Sequence, residues 1–265
     1  MGNVKAFEIM EELFSLTSPH DYSKTCDTCK SGDPEREVTR VATCMFATPA
    51  VIRAAAEWGA QLIITHEPTY YNHMDLETDE AQACEKRRLV ADTGIVIWRY
   101  HDHPHFTKPD VIVDGLLKKM QLPADIEWVG ELTLTRLRLH RPMTPVEVAR
   151  HIEEHLGLKH IRICGARDAA CNRVSITVGA IGNLVMQELC EAESEIVLAG
   201  ETCEWAMCEY ARDAAELGKK KALLVLGHVG SERDGMVRTA ELVQERHPEI
   251  ECRYFECGEV YTYTD

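Results

Sequence analysis

The chain has 265 residues, 45% of them hydrophobic, enough to bury a substantial core in one large domain or two small ones. Its 29 Lys and Arg stand against 44 Asp and Glu, a formal net charge of -15, so no basic face for neutralising phosphate backbones is expected and nucleic acid is a poor partner. No apolar run approaches the roughly 18 residues that span a bilayer, and no membrane association is expected.

The N-terminal stretch MGNVKAFEIMEELFSL interleaves apolar residues with Lys5, Glu8, Glu11 and Glu12 at helical spacing, which is not the architecture of a cleavable signal; the cytoplasm is the expected compartment. Cys26-Asp-Thr-Cys29 has a metal or redox spacing, but no second such pair follows, and the odd total of eleven cysteines argues against a disulfide framework. Reduced thiols are expected. EVTRVATCMF then reads as a strand, and TPAVIRAAAEWG as a helix capped by Thr48, with Pro49 in its first turn and Gly59 closing it. QLIITHEP reads as a strand buried on both faces. ETDEAQACEKRRLVADTG reads as a helix that begins acidic and turns basic, complementing its dipole, and stops at Gly94. IVIWRYHDHPHF follows, an apolar run delivering the chain into histidines 101, 103 and 105, and DVIVDGLLKKM reads as the next helix.

Residues 125–172 have a different pattern. ELTLTRLRLH alternates as a half-buried antiparallel strand does, and TPVEVARHIEEHLG reads as an amphipathic helix with Thr144 as cap and Pro145 at its first position. His151 and His155 lie one turn apart there with no third ligand, and with His140, His160 and His247 they read as solvated. After residue 172 the first pattern returns. Arg173-Val-Ser-Ile-Thr matches Arg40-Val-Ala-Thr-Cys, EIVLAGETCEW matches QLIITHEPTYY, and KALLVLGHVGSE matches GIVIWRYHDHPH. The expected fold is therefore α/β, with two related lobes facing across a cleft: 1–124, and 125–265 with a linking strand–helix segment at about 125–172.

In such folds the loops leaving the C-terminal strand ends form the ligand crevice. His66 and Glu67, the run His101 to His105, Glu201, and His228 with Glu232 all fall at such ends. Each alone would read as structural. Together, imidazoles and carboxylates at one sheet edge would lose hydration without a partner, and a divalent cation supplies it. Five or more ligands exceed one tetrahedral site and suit two ions sharing a bridging water. The candidate metal ligands are His66, Glu67, His101, His105, His228 and Glu232. Mixed N/O ligation fits Zn, Fe, Mn or Ni and argues against calcium. His73, His101, Asp102 and His103 are available as orienting groups or proton carriers, and Tyr70 and Tyr71 as cleft walls.

These residues carry a family resemblance. VTRVATCMFATPAVIRAAAEWGAQLIITHEPTYY resembles the first strand–helix–strand, with its Thr-His-His-Pro signature, of the dinuclear metal centre hexameric proteins, the NGG-one-interacting factor three family. WVGELTLTRL resembles that family's Gly-Arg-x-Gly-Glu-Leu segment, and VLGHVGSERDGM its Gly-His-x-x-Ser-Glu signature. The resemblance implies two α/β halves across a cleft, a two-metal site and a homohexamer. His66 matches the first signature histidine, and His228 and Glu232 match the C-terminal ligands. Glu67 stands where the family has its second histidine, and His105 where its His-Thr-Asn-Leu-Asp motif ends in aspartate. The exchange is reciprocal and preserves the ligand inventory, while Asp102, His103 and His105 remain alternatives for that position. Phe46 replaces a family aspartate, and Glu201 occupies the place of a family acidic residue.

Two functions are compatible with this pattern. One is a metal-dependent hydrolase acting through metal-bound water on a phosphoester or nucleotide-like small molecule, since some members of the family are labelled GTP cyclohydrolase type 2; no phosphate-cradling glycine loop is present. The other is a metal carrier or regulatory scaffold without catalysis.

Overall fold

A computed structural model of the chain describes residues 4–130 and 132–264; residues 1–3 of the N-terminal segment, Glu131 of the WVGELTLTRL segment and Asp265 lie outside the described residues. The chain folds into two compact units, one of residues 1–112 with 235–265, the other of residues 113–234.

The first unit is built on a sheet containing β1 (Cys29–Ser31), β2 (Arg40–Cys44), β3 (Leu62–Thr65), β4 (Val96–Arg99) and β11 (Glu251–Tyr254), in the order β1-β4-β3-β2-β11. β2, β3, β4 and β11 run parallel, and β1 closes one edge antiparallel to β4. Helix α2 (Pro49–Trp58) connects β2 to β3 and has the ends its sequence predicts. Thr48 Oγ1 accepts from Val51 N at 3.2 Å, and Gly59 takes the left-handed conformation. Val51, Ile52 and Ala55 of α2 pack with Ala42, Ile63 and Ile97 on one face of the sheet. On the other face, Phe14 of α1 (Ala6–Ser15) meets Trp98 edge-on at 6.5 Å, and Thr43 Oγ1 donates to Met236 O of α8 (His228–Arg246) at 2.8 Å. Coverage of both faces explains why all four residues of β3 are buried.

Helix α3 (Ala81–Thr93) differs from its sequence reading. It starts after Glu77, Asp79 and Glu80, so no acidic residue lies in its first turn, and no basic residue lies in its last. Lys86 instead points inward, where its ammonium donates to Thr69 O at 2.6 Å and burial pushes its pKa down to about 8. That side chain serves packing rather than the helix dipole. Helix α4 (Val111–Met120) carries the chain into the second unit.

The second unit holds a six-stranded sheet containing β5 (Ala124–Val129), β6 (Thr135–Met143), β7 (Arg162–Gly165), β8 (Cys171–Ile176), β9 (Ile196–Ala199) and β10 (Ala222–Val225). Its order is β5-β6-β8-β9-β10-β7, with β8, β9 and β10 parallel and the rest antiparallel. β6 alternates in burial over its first half, as its sequence predicts. Helix α5 (Pro145–Leu156) starts at a reciprocal cap, in which Thr144 Oγ1 accepts from Glu147 N and Glu147 Oε2 accepts from Thr144 N. Helices α6 (Gly182–Cys190) and α7 (Glu209–Glu216) link the parallel strands. Each unit thus contains the same β-α-β-α-β order, β2-α2-β3-α3-β4 and β8-α6-β9-α7-β10, the arrangement of a two-lobe pseudo-repeat. The C-terminal strand, assigned to the second lobe on sequence order, extends the first sheet, because its partner is β2.

Three histidines read as solvated have structural partners. His151 and His155 stack at 3.9 Å on α5, with His151 Nε2 3.0 Å from Met120 O and His155 Nδ1 2.8 Å from His151 O. His247 is buried, 3.3 Å from Glu12.

Behind the tip of β9, Gly200 lies where backbones cross: Glu201 N donates to Gly179 O (2.8 Å) and Gly227 N to Gly200 O (3.1 Å). A Cβ on Gly200 would overlap the Gly179 backbone and Ser231 Oγ. Gly200→Ala is therefore expected to destabilise the protein by about 1–3 kcal/mol, read as a lowered denaturant midpoint.

Candidate metal centre

In the first unit, the parallel ladder extends one step past β3. His66 N donates to Cys44 O at 3.1 Å and Glu67 N to Met45 O at 2.8 Å, which fixes the backbone from which both side chains project. Both residues are buried. His66 Nδ1 lies 2.9 Å from Tyr100 O, just past the neighbouring β4. A carbonyl only accepts, so Nδ1 is the donor in this contact.

The next two imidazoles repeat this arrangement. His101 Nδ1 is 2.9 Å from Asp102 Oδ1, and its Nε2 is 3.4 Å from Glu67 Oε1. His105 sits in a single 3₁₀ turn, His103–Phe106, with Nδ1 3.0 Å from Asp110 Oδ2. The rings of His66 and His101 are 4.8 Å apart, and that of His105 lies 5.5 Å from His66 and 6.0 Å from His101. His66, Glu67 and His101 each place a donor atom within 4.8 Å of the others, close enough to share an ion. Burial opposes charge on His101, but hydrogen bonds with Asp102, Cys26 and Glu67 outweigh it and hold its pKa well above the ordinary histidine value.

Two residues that sequence reasoning missed hold this cluster. Arg99, fully buried at the end of β4, donates from Nε to His66 O at 3.0 Å and from a terminal nitrogen to His73 O. Its guanidinium also lies 3.7 Å from Glu67 and 3.8 Å from Asp75. The other is Asp27, whose Oδ1 accepts from His101 N (2.6 Å) and whose Oδ2 accepts from His103 N (2.8 Å) and meets His103 Nδ1 (2.6 Å). The available signals were an arginine ending an apolar run and an aspartate between two cysteines. Neither names its partner.

The candidates at 101–105 divide by surroundings. His103 is sandwiched between Phe14 (4.0 Å) and Tyr22 (3.9 Å), which suits packing. Asp102 faces a different group, placing a donor atom within 4.8 Å of donors on Cys26 and His73. Tyr70 is buried and Tyr71 exposed. Phe46 is half-buried immediately after β2.

In the second unit, His228 and Glu232 were expected on a loop and instead occupy the first turns of α8. The four-residue spacing puts them on one helix face, with His228 Nε2 3.1 Å from Glu232 Oε2. His228 Nδ1 is 2.7 Å from Glu201 Oε1, just past β9. Gly179, at φ +62°, passes so close to the Glu232 carboxylate that a Cβ would collide with it. Ser231 Oγ donates to His228 O (2.8 Å) and accepts from Gly179 N (3.0 Å), tying the helix start to the strand tips.

The sequence signature of the Duf34/NIF3 (NGG1p interacting factor 3) family matches residues 3–258. The chain belongs to this family. A curated relative, the "GTP cyclohydrolase 1 type 2 homolog" of Clostridium perfringens, is 25% identical over 224 residues, covering 81% of each chain. The relative of the same name from Allochromatium vinosum is 23% identical over 230 residues, covering 80% of each. Among solved structures, a Bacillus cereus protein related to NIF3 superposes with a TM-score of 0.80 at 14% identity, covering 100% of both chains, a likeness of fold.

For this member of the Duf34/NIF3 family, the donor chemistry fits a transition metal. Nitrogen and oxygen donors predominate, and the imidazoles of His66, His101, His105 and His228 each have Nδ1 against an oxygen, the arrangement that orients Nε2 in metal sites. All eleven cysteines are free thiols, as expected. Among the described residues, no helix is long and apolar enough to cross a membrane.

Asp27 carries the clearest structural test. Burial opposes its ionisation, but the bonds from His103 and from the His103 and His101 amides outweigh it and hold its pKa below the ordinary carboxylate value. Asp27→Ala would leave those donors buried without an acceptor, and a loss of about 1–3 kcal/mol in chemical denaturation is expected.

Proposed function

We propose that the protein is a dinuclear divalent-metal hydrolase acting on a phosphoester or nucleotide-like small molecule. His66, Glu67, His101, His105, His228 and Glu232 would hold the two ions. The observation that carries this reading is the common orientation of four imidazoles. Tyr100 O, Asp102, Asp110 and Glu201 each face one Nδ1, which orients the four Nε2 atoms for ligation, His101 giving up its Nε2 proton when an ion binds. Bound divalent ions would acidify a water and polarise the phosphoryl or ring-carbon centre under attack.

The chain's own residues supply position and proton handling. Arg99 holds the His66–Glu67 turn rigid through His66 O. Glu67 reaches His101 Nε2, and Asp102 anchors the same ring at Nδ1, so His101 can either ligate or carry a proton at Nε2. The names of the curated relatives make GTP the first substrate to test. Exposed Ile126, Trp128 and Val129 on edge strand β5 support self-association, in keeping with the hexamer that the resemblance implies.

Protein purified without chelator is expected to hold about two transition-metal equivalents per chain at these residues. Loaded with zinc, manganese or iron, it should turn over GTP or another phosphoester, and His66→Ala should lose that activity. A broad panel with no metal-dependent turnover above the His66→Ala blank would overturn the hydrolase reading and leave a carrier. Asp110→Asn should weaken metal binding about 10- to 100-fold by loosening His105, measured by competition with a chromophoric chelator.

A further inference from the structure

The Cys26-Asp-Thr-Cys29 loop lies against the histidine-rich run. Asp102 Oδ2 accepts from Thr25 Oγ1 at 2.7 Å and from Cys26 N at 3.3 Å, while Cys26 Sγ is 3.7 Å from Asp102 Oδ1. From another direction the 73–75 loop comes in, pinned by Arg99 through His73 O and Asp75. The His73 ring lies 5.4 Å from that of His101. Three loops thereby bring a thiol, an imidazole and a carboxylate together, with donor atoms within 4.8 Å of one another. None of the three belongs to the ligand set proposed above.

We propose that Cys26, His73 and Asp102 form a separate site for a thiophilic divalent cation such as zinc. Thiolate, imidazole and carboxylate are the three zinc donor types, and three protein ligands leave a fourth position for water or an incoming group. The ligands are graded in exposure: Cys26 is buried, Asp102 half-buried and His73 exposed, which opens a path from solvent. A carboxylate offers about four acceptor directions. Asp102 uses three on Thr25, Cys26 N and His101, and the fourth, now turned to the thiol, serves the ion. Binding replaces the Cys26 S–H bond with a sulfur–metal bond and releases the proton to water. Because Asp102 also anchors His101, an ion here sits one hydrogen bond from the His66–Glu67–His101 cluster, as a loading position for it would.

Cobalt substitution reads this site apart from the dinuclear one, because only a thiolate ligand produces sulfur-to-cobalt charge-transfer absorption in the near ultraviolet. The full chain loaded with Co²⁺ is expected to show that band, His66→Ala and His228→Ala to keep it, and Cys26→Ser to lose it together with about one zinc equivalent. His73 is exposed, so His73→Ala tests the site without disturbing the core; the band should then require at least about tenfold more cobalt. A wild-type protein without the band, a band that survives Cys26→Ser, or a cobalt titration unchanged in His73→Ala would each overturn the proposal. Loss of turnover in His66→Ala with the band intact would bear on the dinuclear centre alone.

Discussion

One buried guanidinium underlies the first-unit cluster. Arg99 ends a strand whose neighbours in sequence are apolar, and its charge has no access to water. A cation so placed is tolerated only where oxygen atoms surround it. They come from His66 O, His73 O, Glu67 and Asp75, four positions on two separate stretches of chain. The requirement to satisfy Arg99 therefore sets where the His66–Glu67 turn and the 73–75 loop can lie. It also places a positive charge beside the Glu67 carboxylate.

Asp27 does for the histidine-rich run what Arg99 does for the turn. Three alternating histidines would be three ways to place an imidazole, and Asp27 separates their roles by accepting the amides of His101 and His103 together with the His103 ring. His103 is thereby drawn between Phe14 and Tyr22, while His101 and His105 remain beside His66. In the second unit a helix end performs the equivalent task. The first turns of α8 put His228 and Glu232 on one face, 3.1 Å apart.

Glu67 and His105 each sit among partners that suit their own chemistry. Glu67 lies between the Arg99 guanidinium and His101 Nε2, two cationic or donating groups that suit a carboxylate better than a second imidazole. His105 meets Asp110, so this imidazole has its own acidic partner.

Sequence alone determined the α/β class, most element boundaries, the repeated strand–helix order and the types of group gathered at the strand tips. These follow from local rules, since a four-residue apolar run reports burial on both faces and a Thr-Pro pair or a glycine reports a helix end. The charge pattern of α3 was misread because Glu77, Asp79 and Glu80 precede the helix and Lys86 turns into the packing, which composition alone cannot reveal. Tertiary structure alone decided which oxygen orients each imidazole: a carbonyl at Tyr100, a carboxylate five residues past His105, and another 27 residues before His228. It also decided that β11 joins the first sheet beside β2. A hydrogen bond depends on where two distant backbone segments come to rest, and that position is set by the packing of every element between them rather than by the residues that form the bond.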